Sequence, residues 1–382
     1  MRILIIANIP PYSKGGAENQ AKLLAEEFVS LGNVVTVAGN EIPKNISINE
    51  FSFRTKHLAT FLPGRIGRAI CYFSSLAWFI LNNKNNFDII YCRFLGEAAL
   101  SICVLKRFFG VRLPLIPCTA CAGAMGDAAF VKSLPFSGYL VKLINTQCNA
   151  INNISPKIGE ELRSMGVDSH LLTYLPNGVR IYDFDKKESL NKVRKLVYLG
   201  RLVPQKGLIF LFEAIECLIQ NGEKLELHII GEGPDREEME RYVCGNTLRD
   251  CVFFHGHIDN NLVLYELLNY DIFVLPSLYE GFATSTIEAM LVRLPVLVTI
   301  SGGPDYFVDD SVGRLCEAGS SEALTTTINE LINLDDDVLL EMGKRGRERV
   351  IQRFDIKLIA EKYIDLFNLV KNPPKSFLGE EL

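Results

Sequence analysis

Two pairs of charged residues in the second half of the chain have the side-chain types and spacing to hold a ligand. Arg201 and Lys206 lie in the stretch "GRLVPQKG", and Glu280 and Glu288 lie in "EGFATSTIEAM". A guanidinium and an ammonium on one loop suit a diphosphate, because together they can share its charge. A carboxylate near the start of a helix can accept hydrogen bonds from the vicinal hydroxyls of a sugar.

Each pair also has a plainer interpretation. The two cations could be solvated loop residues, and Glu280 could be an exposed loop acid. Ser285 and Glu288 have the spacing of a capping box, in which the serine hydroxyl caps a helix and the glutamate reaches back to it. The residues alone leave both interpretations open.

The elements that would position these side chains alternate between strands and helices. Apolar runs typical of buried strands recur through the second half, at "KLVYLG", "LELHIIG", "CVFFHGH", "DIFVLPS", "PVLVTIS" and "VGRLCE". Such alternation predicts a parallel sheet covered on both faces, an α/β fold. Because ligands bind beyond the carboxyl ends of such strands, the loops with Gly231 and Gly256 are expected to join the site.

The first half follows the same pattern. Strand-like runs are "RILIIAN", "NVVTVAGN", "FDIIYCR" and "LPLIPCTA", with helical patterns over 97–109 and 156–165. Gly15 and Gly16 form a glycine loop after the first run, which lacks the G-x-G-x-x-G dinucleotide fingerprint. The loop either lets a ligand approach the backbone closely or is a flexible connector.

Length and composition indicate two soluble globular domains. The turn-rich stretch "PNGVRIYDFDKKES" is the natural linker, which predicts domains over 1–176 and 177–353, with an amphipathic run over 354–370. The ten cysteines show no disulfide framework and are typical of reduced thiols in a cytoplasm. Cys118 and Cys121 form one C-x-x-C without a second pair, so a zinc site is not expected.

Charge is distributed unevenly between the halves. Residues 1–176 carry 17 basic and 11 acidic side chains, whereas the remainder carries 23 and 34. A basic first half suggests an anionic partner, such as nucleic acid or a membrane surface, although uneven charge without function is an equal alternative. The segment 57–81 sets Arg65 and Arg68 beside an apolar helical run that is too short to span a bilayer. It is either a buried helix or a segment that lies on anionic lipid.

Eight motifs in order resemble the family 4 retaining glycosyltransferases. They are "KGGAE" (14–18), "NIS" with "EEL" (153–162), "LPNGV" (175–179), "GRLVPQKG" (200–207), "GEGP" (231–234), "HG" (255–256), "EGFATSTIEAM" (280–290) and "SGGPDYFVDDSVG" (301–313). The resemblance covers nearly the whole chain. It implies the GT-B fold, in which two Rossmann-like, doubly wound domains face a central cleft and a C-terminal helix crosses back onto the first domain.

The resemblance also implies roles for single residues. Arg201 and Lys206 would bind the donor diphosphate, Glu280 would hold hydroxyls of the donor sugar, and Glu288 would hold those of the ribose. Gly281, Phe282 and Ala283, with Gly231 and Gly256, would line the donor site. Gly15, Gly16 and Asn177 would lie on the acceptor side of the cleft. No metal or other cofactor is implied, and the nucleotide diphosphate sugar is a co-substrate.

One departure concerns the region after "LPLIPCTA". Many family members have a histidine there, whereas this chain reads "CTACAGAMGDAAF". Gly126 and Asp127 would then enter the cleft, and Asp127 is a candidate catalytic residue in place of the histidine. The sequence thus predicts a cytoplasmic retaining hexosyltransferase, at most peripheral on the membrane, with a glycan or lipid-linked acceptor and not nucleic acid. The alternatives are a catalytically silent binding subunit and a glycoside phosphorylase on the same fold.

Overall fold

The chain forms two compact units in the computed structural model, which describes residues 1–13, 15–45, 50–61, 64–123, 126–184 and 189–372. The first unit is Met1–Arg180 together with the segment from Ile356 onward, and the second is Ile181–Asp355. Lys14 of the glycine loop, residues 185–188 of the predicted linker and the side chain of Arg65 lie outside the described residues.

The described part of the first unit contains a seven-stranded parallel sheet in the order β3-β2-β1-β4-β5-β6-β7. Its central strands are apolar and buried, as expected of strands covered on both faces. The strands are β1 (Arg2–Ile6), β2 (Val34–Gly39), β3 (Arg54–His57), β4 (Ile89–Arg93), β5 (Leu115–Thr119), β6 (Ile151–Asn153) and β7 (Leu172–Tyr174).

Helices pack against this sheet as two groups. α2 packs against α3 and α3 against α5, whereas α1 packs against the last helix, α13. Phe28 of α1 and Tyr363 and Phe367 of α13 meet edge to face in the core, with ring centroids 5.5–6.2 Å apart for the pairs that include Phe28. The helices are α1 (Gly16–Ser30), α2 (Arg65–Asn83), α3 (Glu97–Phe109), α4 (Asp127–Ser133), α5 (Ser137–Gln147), α6 (Pro156–Met165) and α13 (Ile356–Lys371).

The described part of the second unit contains a six-stranded parallel sheet in the order β10-β9-β8-β11-β12-β13. The strands are β8 (Arg194–Leu199), β9 (Leu225–Ile230), β10 (Val252–Gly256), β11 (Ile272–Leu275), β12 (Val296–Thr299) and β13 (Gly313–Cys316). The helices are α7 (Leu208–Gln220), α8 (Arg236–Cys244), α9 (Val263–Leu267), α10 (Thr284–Leu291), α11 (Ser321–Ile332) and α12 (Asp336–Arg353). Chain order reverses between β8 and β11, which makes a topological switch point at their carboxyl ends.

The units divide a few residues after the sequence-based boundary at Asn177. Residues 177–180 are tied to the first unit by side-chain contacts: the Asn177 amide oxygen accepts a hydrogen bond from Arg93, and the Gly178 N–H donates to Gln20. Arg180 forms an ion pair with Glu26 at 3.0 Å. The turn-rich composition of this stretch predicts a linker, but these long-range contacts place its first residues in the first unit.

Candidate active site

The predicted cation and carboxylate meet at the switch point of the second unit. Lys206 follows β8 and Glu280 follows β11, and the Lys206 Nζ atom lies 2.5 Å from Glu280 Oε1. The Ser277 hydroxyl donates to the same carboxylate oxygen at 2.6 Å. Glu280 is only 5% exposed. The interpretation of Glu280 as an exposed loop acid is therefore wrong, because its carboxylate is buried and held by two donors.

Backbone bonds fix the loops that carry this pair. The Leu278 N–H donates to the Gln205 carbonyl, and the Gln205 side chain donates back to the Tyr279 carbonyl, both at 2.9 Å. The Glu280 N–H donates to the Ser301 carbonyl after β12, also at 2.9 Å. The loops after β8, β11 and β12 thus form one connected rim, so the carboxylate sits on a preorganised backbone.

The loops after β9 and β10 join that rim through glycine. The Gly231 N–H donates to the Gly256 carbonyl at 2.8 Å. Gly231 has φ 144°, and a Cβ there would lie 1.8 Å from the Gly200 carbonyl oxygen. Because no side chain fits in that space, Gly231 lets the loop after β9 lie against the loop after β8.

α10 begins without a side-chain cap, so the capping-box interpretation of Ser285 and Glu288 is wrong. The N-cap is Ala283, in the left-handed region at φ 60° and ψ 74°, and it makes no side-chain cap hydrogen bond. A non-glycine residue in that region is strained by roughly 1–3 kcal/mol, a feature that clusters at functional sites. The open first turn leaves N–H groups available to an anion.

Glu288 projects from the second turn of α10 with an unused carboxylate. The side chain is half-buried, and no described residue forms a hydrogen bond or ion pair with it. Burial alone raises the pKa of Glu288 from 4.5 to about 7. A partly buried carboxylate with free acceptor capacity is suited to ligand hydroxyls.

The remaining predicted donor-site residues differ in which of their groups a ligand could contact. Gly281 is buried, and the Phe282 side chain lies in an aromatic cluster with Phe307 and Phe354, at centroid distances of 5.3 and 5.6 Å. Phe282 therefore anchors the loop in the core and can offer only its backbone to a ligand. Arg201 is exposed, and its guanidinium pairs with no described residue. The structure does not bring it into the Lys206–Glu280 contact.

In the first unit, Asp127 is buried and clamps two loops. Its Oδ1 accepts from the Leu95 N–H at 2.8 Å, and its Oδ2 accepts from the N–H groups of Ala120 and Cys121 at 2.9 and 3.1 Å. Burial raises its pKa above the usual range against the opposing effect of these bonds. The geometry gives Asp127 a positioning role. The catalytic role stays a prediction.

A cavity of about 580 Å³ lies at the carboxyl edge of the first sheet. It is lined by residues that include Asn8, Arg68, Tyr72, Arg93 and Asp127. Gly126 lies at its edge, where a Cβ would meet the Cys121 carbonyl oxygen at 2.9 Å. Gly15 precedes α1 and Gly16 is its first residue, so Gly16 belongs to the helix and not to the predicted glycine loop.

Sequence reasoning missed Arg93, the last residue of β4. Its guanidinium is buried and donates to Cys118 Sγ at 3.1 Å and to Asn177 Oδ1 at 3.0 Å. The available signal in the sequence was the charged residue that ends the apolar run "FDIIYCR". A charged residue is almost never fully buried without a partner, so a charge at the end of a buried strand indicates a polar partner. Cys118 of the C-x-x-C is thus held in a buried polar cluster, whereas Cys121 is exposed.

Comparison with known proteins agrees with this arrangement. Residues 180–349 match the family described as glycosyl transferases group 1, and residues 14–181 match glycosyltransferase family 4. A poly(ribitol-phosphate) alpha-N-acetylglucosaminyltransferase of Staphylococcus aureus (strain COL) is 29% identical over 51% of this chain and 39% of its own length. A 2-deoxystreptamine N-acetyl-D-glucosaminyltransferase of Niallia circulans is 23% identical over 93% of this chain and 97% of its own.

A solved structure shows the same fold. HepE of Anabaena, crystallised with UDP and glucose, superposes with a TM-score of 0.76 at 18% identity, over 96% of this chain and 99% of its own. The chain belongs to the group 1, family 4 glycosyltransferases and has the GT-B fold. It spans about two fifths of the length of the Staphylococcus aureus relative. Within the described residues, no helix combines the length and the apolar character needed to cross a membrane.

Proposed function

We propose that this protein is a retaining glycosyltransferase that moves a sugar from a nucleotide diphosphate sugar to a glycan or lipid-linked acceptor in the synthesis of a cell-surface polysaccharide or glycolipid. The observation that carries the proposal is the pair of glutamates at the switch point. One is buried and bound to Lys206, and the other has an unused carboxylate on the helix that starts beside it. The names of the relatives support sugar transfer to surface polymers and small acceptors.

In the proposed complex the donor diphosphate lies between Lys206, Arg201 and the N–H groups of the first turn of α10. These donors meet its negative charge, so we propose that no metal ion takes part. Glu288 accepts hydrogen bonds from the ribose, and Glu280 accepts from the sugar hydroxyls while staying bound to Ser277. Gly281 and Ala283 offer backbone groups between the two. HepE, which is 18% identical and binds UDP and glucose, is consistent with a donor of this type.

For retention of configuration, we propose front-face attack of the acceptor, assisted by the leaving phosphate. The protein then contributes positioning and stabilisation of the departing diphosphate, chiefly through Lys206 and Arg201. No protein nucleophile is required. We propose that the reaction takes place in the cytoplasm, at or near a membrane that holds a lipid-linked acceptor. Ten cysteines that are all free thiols support a cytoplasmic location.

Calorimetric titration of UDP, GDP and ADP, and of their sugar conjugates, tests the donor site. One nucleotide should bind wild type, and Glu288→Gln should weaken its binding about tenfold to 150-fold, since a hydrogen bond to a charged group contributes about 1.5–3 kcal/mol. Glu330→Gln, an exposed glutamate of α11 in the same unit, is the matched control and should bind like wild type.

Anomer-resolved NMR of the product then tests retention. A product with the donor's anomeric configuration supports the mechanism, and inversion excludes it. Absence of nucleotide binding would contradict the donor site. Tight donor binding without transfer or hydrolysis across an acceptor panel would favour the binding-subunit alternative instead.

A further inference from the structure

The outer face of α2 carries large apolar side chains in contact with solvent. Ile66, Ile70, Ser74 and Trp78 recur every four residues and therefore lie on one ridge of the helix. Ile66 is 78% exposed, Ile70 58% and Trp78 64%. The opposite side of the helix, with Leu76 among others, is fully buried and already supplies the contacts that the core needs. The ridge is thus a large apolar surface that the fold of the unit does not use.

α3 packs against α2 and α5 against α3, and the three helices together are basic. α2, α3 and α5 together contain the cations Arg65, Arg68, Lys106, Arg107 and Lys142 and a single acid, Glu97. Exposed aromatic side chains also extend the apolar character beyond α2, with Phe108 and Phe109 at the end of α3 and Phe136 and Tyr139 at the start of α5. The excess positive charge of the first half of the chain is therefore largely concentrated on this helical layer.

A basic groove lies next to Trp78. Its volume is about 690 Å³, and it runs between the edge strand β3 and α2. Lys44, Arg54 and Lys56 line it together with Trp78, and no described residue that lines it is acidic. The three cations are exposed and form no ion pair with a described residue. The Lys56 ammonium lies over the Phe79 ring, 5.9 Å from its centroid. Cations without an ion-pair partner beside an indole ring are suited to anionic groups at an interface.

We propose that this basic-apolar face, made of Ile66, Ile70 and Trp78 with Lys44, Arg54 and Lys56, binds the surface of an anionic phospholipid bilayer. A bilayer surface has anionic headgroups outside and apolar acyl chains a few ångströms below. The cations of the face match the headgroups, and its apolar side chains match the acyl chains. α2 lies in the plane of the interface with its ridge among the headgroups and upper acyl chains. The groove cations contact lipid phosphates.

The same helix connects this face to the cavity of the first unit. Arg68, Ala69 and Tyr72 of α2 line the 580 Å³ cavity at the carboxyl edge of the sheet. A bilayer bound along α2 therefore lies next to that cavity, and an acceptor sugar carried on a lipid can reach it without leaving the membrane. In this respect the inference deepens the proposed function and rests on its acceptor class.

Vesicle co-sedimentation of the full chain tests the face without any sugar substrate. Wild type should sediment with phosphatidylcholine vesicles that contain one third phosphatidylglycerol and stay in the supernatant with phosphatidylcholine alone. Lys44→Gln/Arg54→Gln/Lys56→Gln should weaken binding about fivefold per cation, since each basic residue near an anionic surface contributes about that factor. Ile66→Gln/Trp78→Gln should weaken it at both low and high salt, because apolar insertion is not screened.

Matched controls separate the face from general charge and apolarity. Lys224→Gln/Arg249→Gln/Lys344→Gln removes three exposed cations from the second unit, and Leu262→Gln/Tyr265→Gln removes two exposed apolar side chains there. Both controls should bind vesicles like wild type. Thermal unfolding of every variant verifies that the substitutions, all at exposed positions, leave the fold intact.

Equal binding to both vesicle types, or equal loss in test and control variants, would overturn the proposal. The proposal would also be overturned if wild type did not bind vesicles and was a dimer in light scattering, while Ile66→Gln/Trp78→Gln was a monomer. That result would show that the face binds a second copy of the chain. Nucleotide calorimetry is independent of these readouts. Protein that binds nucleotide but no vesicles overturns only the face, and protein that binds vesicles but no nucleotide overturns only the donor site.

Discussion

At the scale of single residues, the two glutamates of the site have different surroundings. Glu280 is buried and accepts from Lys206 and Ser277 at one carboxylate oxygen. Glu288 is half-buried, and burial without a partner raises its pKa, because desolvation disfavours the charged form. The charge of Glu288 therefore varies near neutral pH.

Glu288 should make the second unit less stable as pH rises. Its pKa in the folded state, about 7, exceeds the ordinary 4.5, so the folded state binds more protons between these values. Stability then falls as pH rises through this window, by up to about 3 kcal/mol, because a pKa difference of one between the folded and unfolded states corresponds to roughly 1.4 kcal/mol. Glu288→Gln should abolish this loss and be more stable than wild type at pH 8, although it binds nucleotide less well.

Urea denaturation at pH 5 and pH 8 measures this difference. Wild type and the control Glu330→Gln should both be less stable at pH 8 than at pH 5. Glu288→Gln should not show this loss. If the glutamine variant loses as much as wild type, the raised pKa of Glu288 is contradicted.

The spacing of the candidate site residues did not predict how they are held. The Ser285–Glu288 spacing fits a capping box in any isolated helix, yet α10 starts at Thr284 behind a left-handed Ala283. The backbone bond from Glu280 to Ser301 connects loops 21 residues apart, and this tertiary contact helps determine where the loop ends. Local spacing cannot register such a contact, and it cannot show that Lys206 lies against Glu280 either.

At the scale of elements, the strands of the second unit are those that the sequence predicted, within one or two residues. β11 and β12 are buried at every position, whereas the edge strands β10 and β13 are buried only in part. In the first unit, β3 was missed because Arg54–His57 reads "RTKH". It is one of the two edge strands of the described sheet, and its backbone pairs with β2. An edge strand open to solvent on one side needs no apolar pattern.

The clamp formed by Asp127 gives a prediction at this scale. Asp127→Ala would leave the N–H groups of Leu95, Ala120 and Cys121 without their acceptor, of which the first is buried and the other two are partly buried. A buried group without a partner costs about 1–3 kcal/mol, so the first unit should lose at least about 1 kcal/mol of stability. Asp127→Asn keeps one carbonyl acceptor for Ala120 and Cys121 and should lose less.

Turnover of Asp127→Asn distinguishes positioning from catalysis. We expect sugar transfer within about tenfold of wild type, because loop geometry is largely kept. Removing a general acid or base reduces rates about 10²–10⁴-fold. A loss of that size, with stability close to wild type, would restore the catalytic role that the resemblance implies for Asp127.

At the scale of the whole molecule, the first unit is built from two separate stretches of chain. α13 belongs to it although the entire second unit intervenes. Tyr363 and Phe367 are buried and pack on Phe28 and Tyr91 of the first 180 residues. The apolar periodicity of α13 predicts a helix, but which unit it joins depends on complementary packing that a single sequence does not display.

Phe367→Ala should therefore destabilise a region far away in sequence. Truncating a buried phenylalanine costs about 3–5 kcal/mol, and here the lost contacts lie on α1 and β4. Hydrogen–deuterium exchange should rise across residues 1–180 and stay unchanged across 181–355. Leu369→Ala, half exposed on the same helix, is the matched control and should leave exchange in both units near wild type. Equal acceleration in both units would contradict the division.

The divided first unit also reverses the order in which the two units finish folding during synthesis on the ribosome. Domains otherwise fold as they emerge, amino-terminal first, at about 5–20 residues added per second. Here the apolar surfaces of Phe28 and Tyr91 emerge early, yet α13, which covers them, is still unmade while the contiguous second unit is translated. The 175 residues from 181 to 355 represent roughly 10–35 s of synthesis. The unit whose translation begins first is thus the last to be completed. While the second unit is translated, the uncovered apolar surface of the first unit is a binding surface for a chaperone.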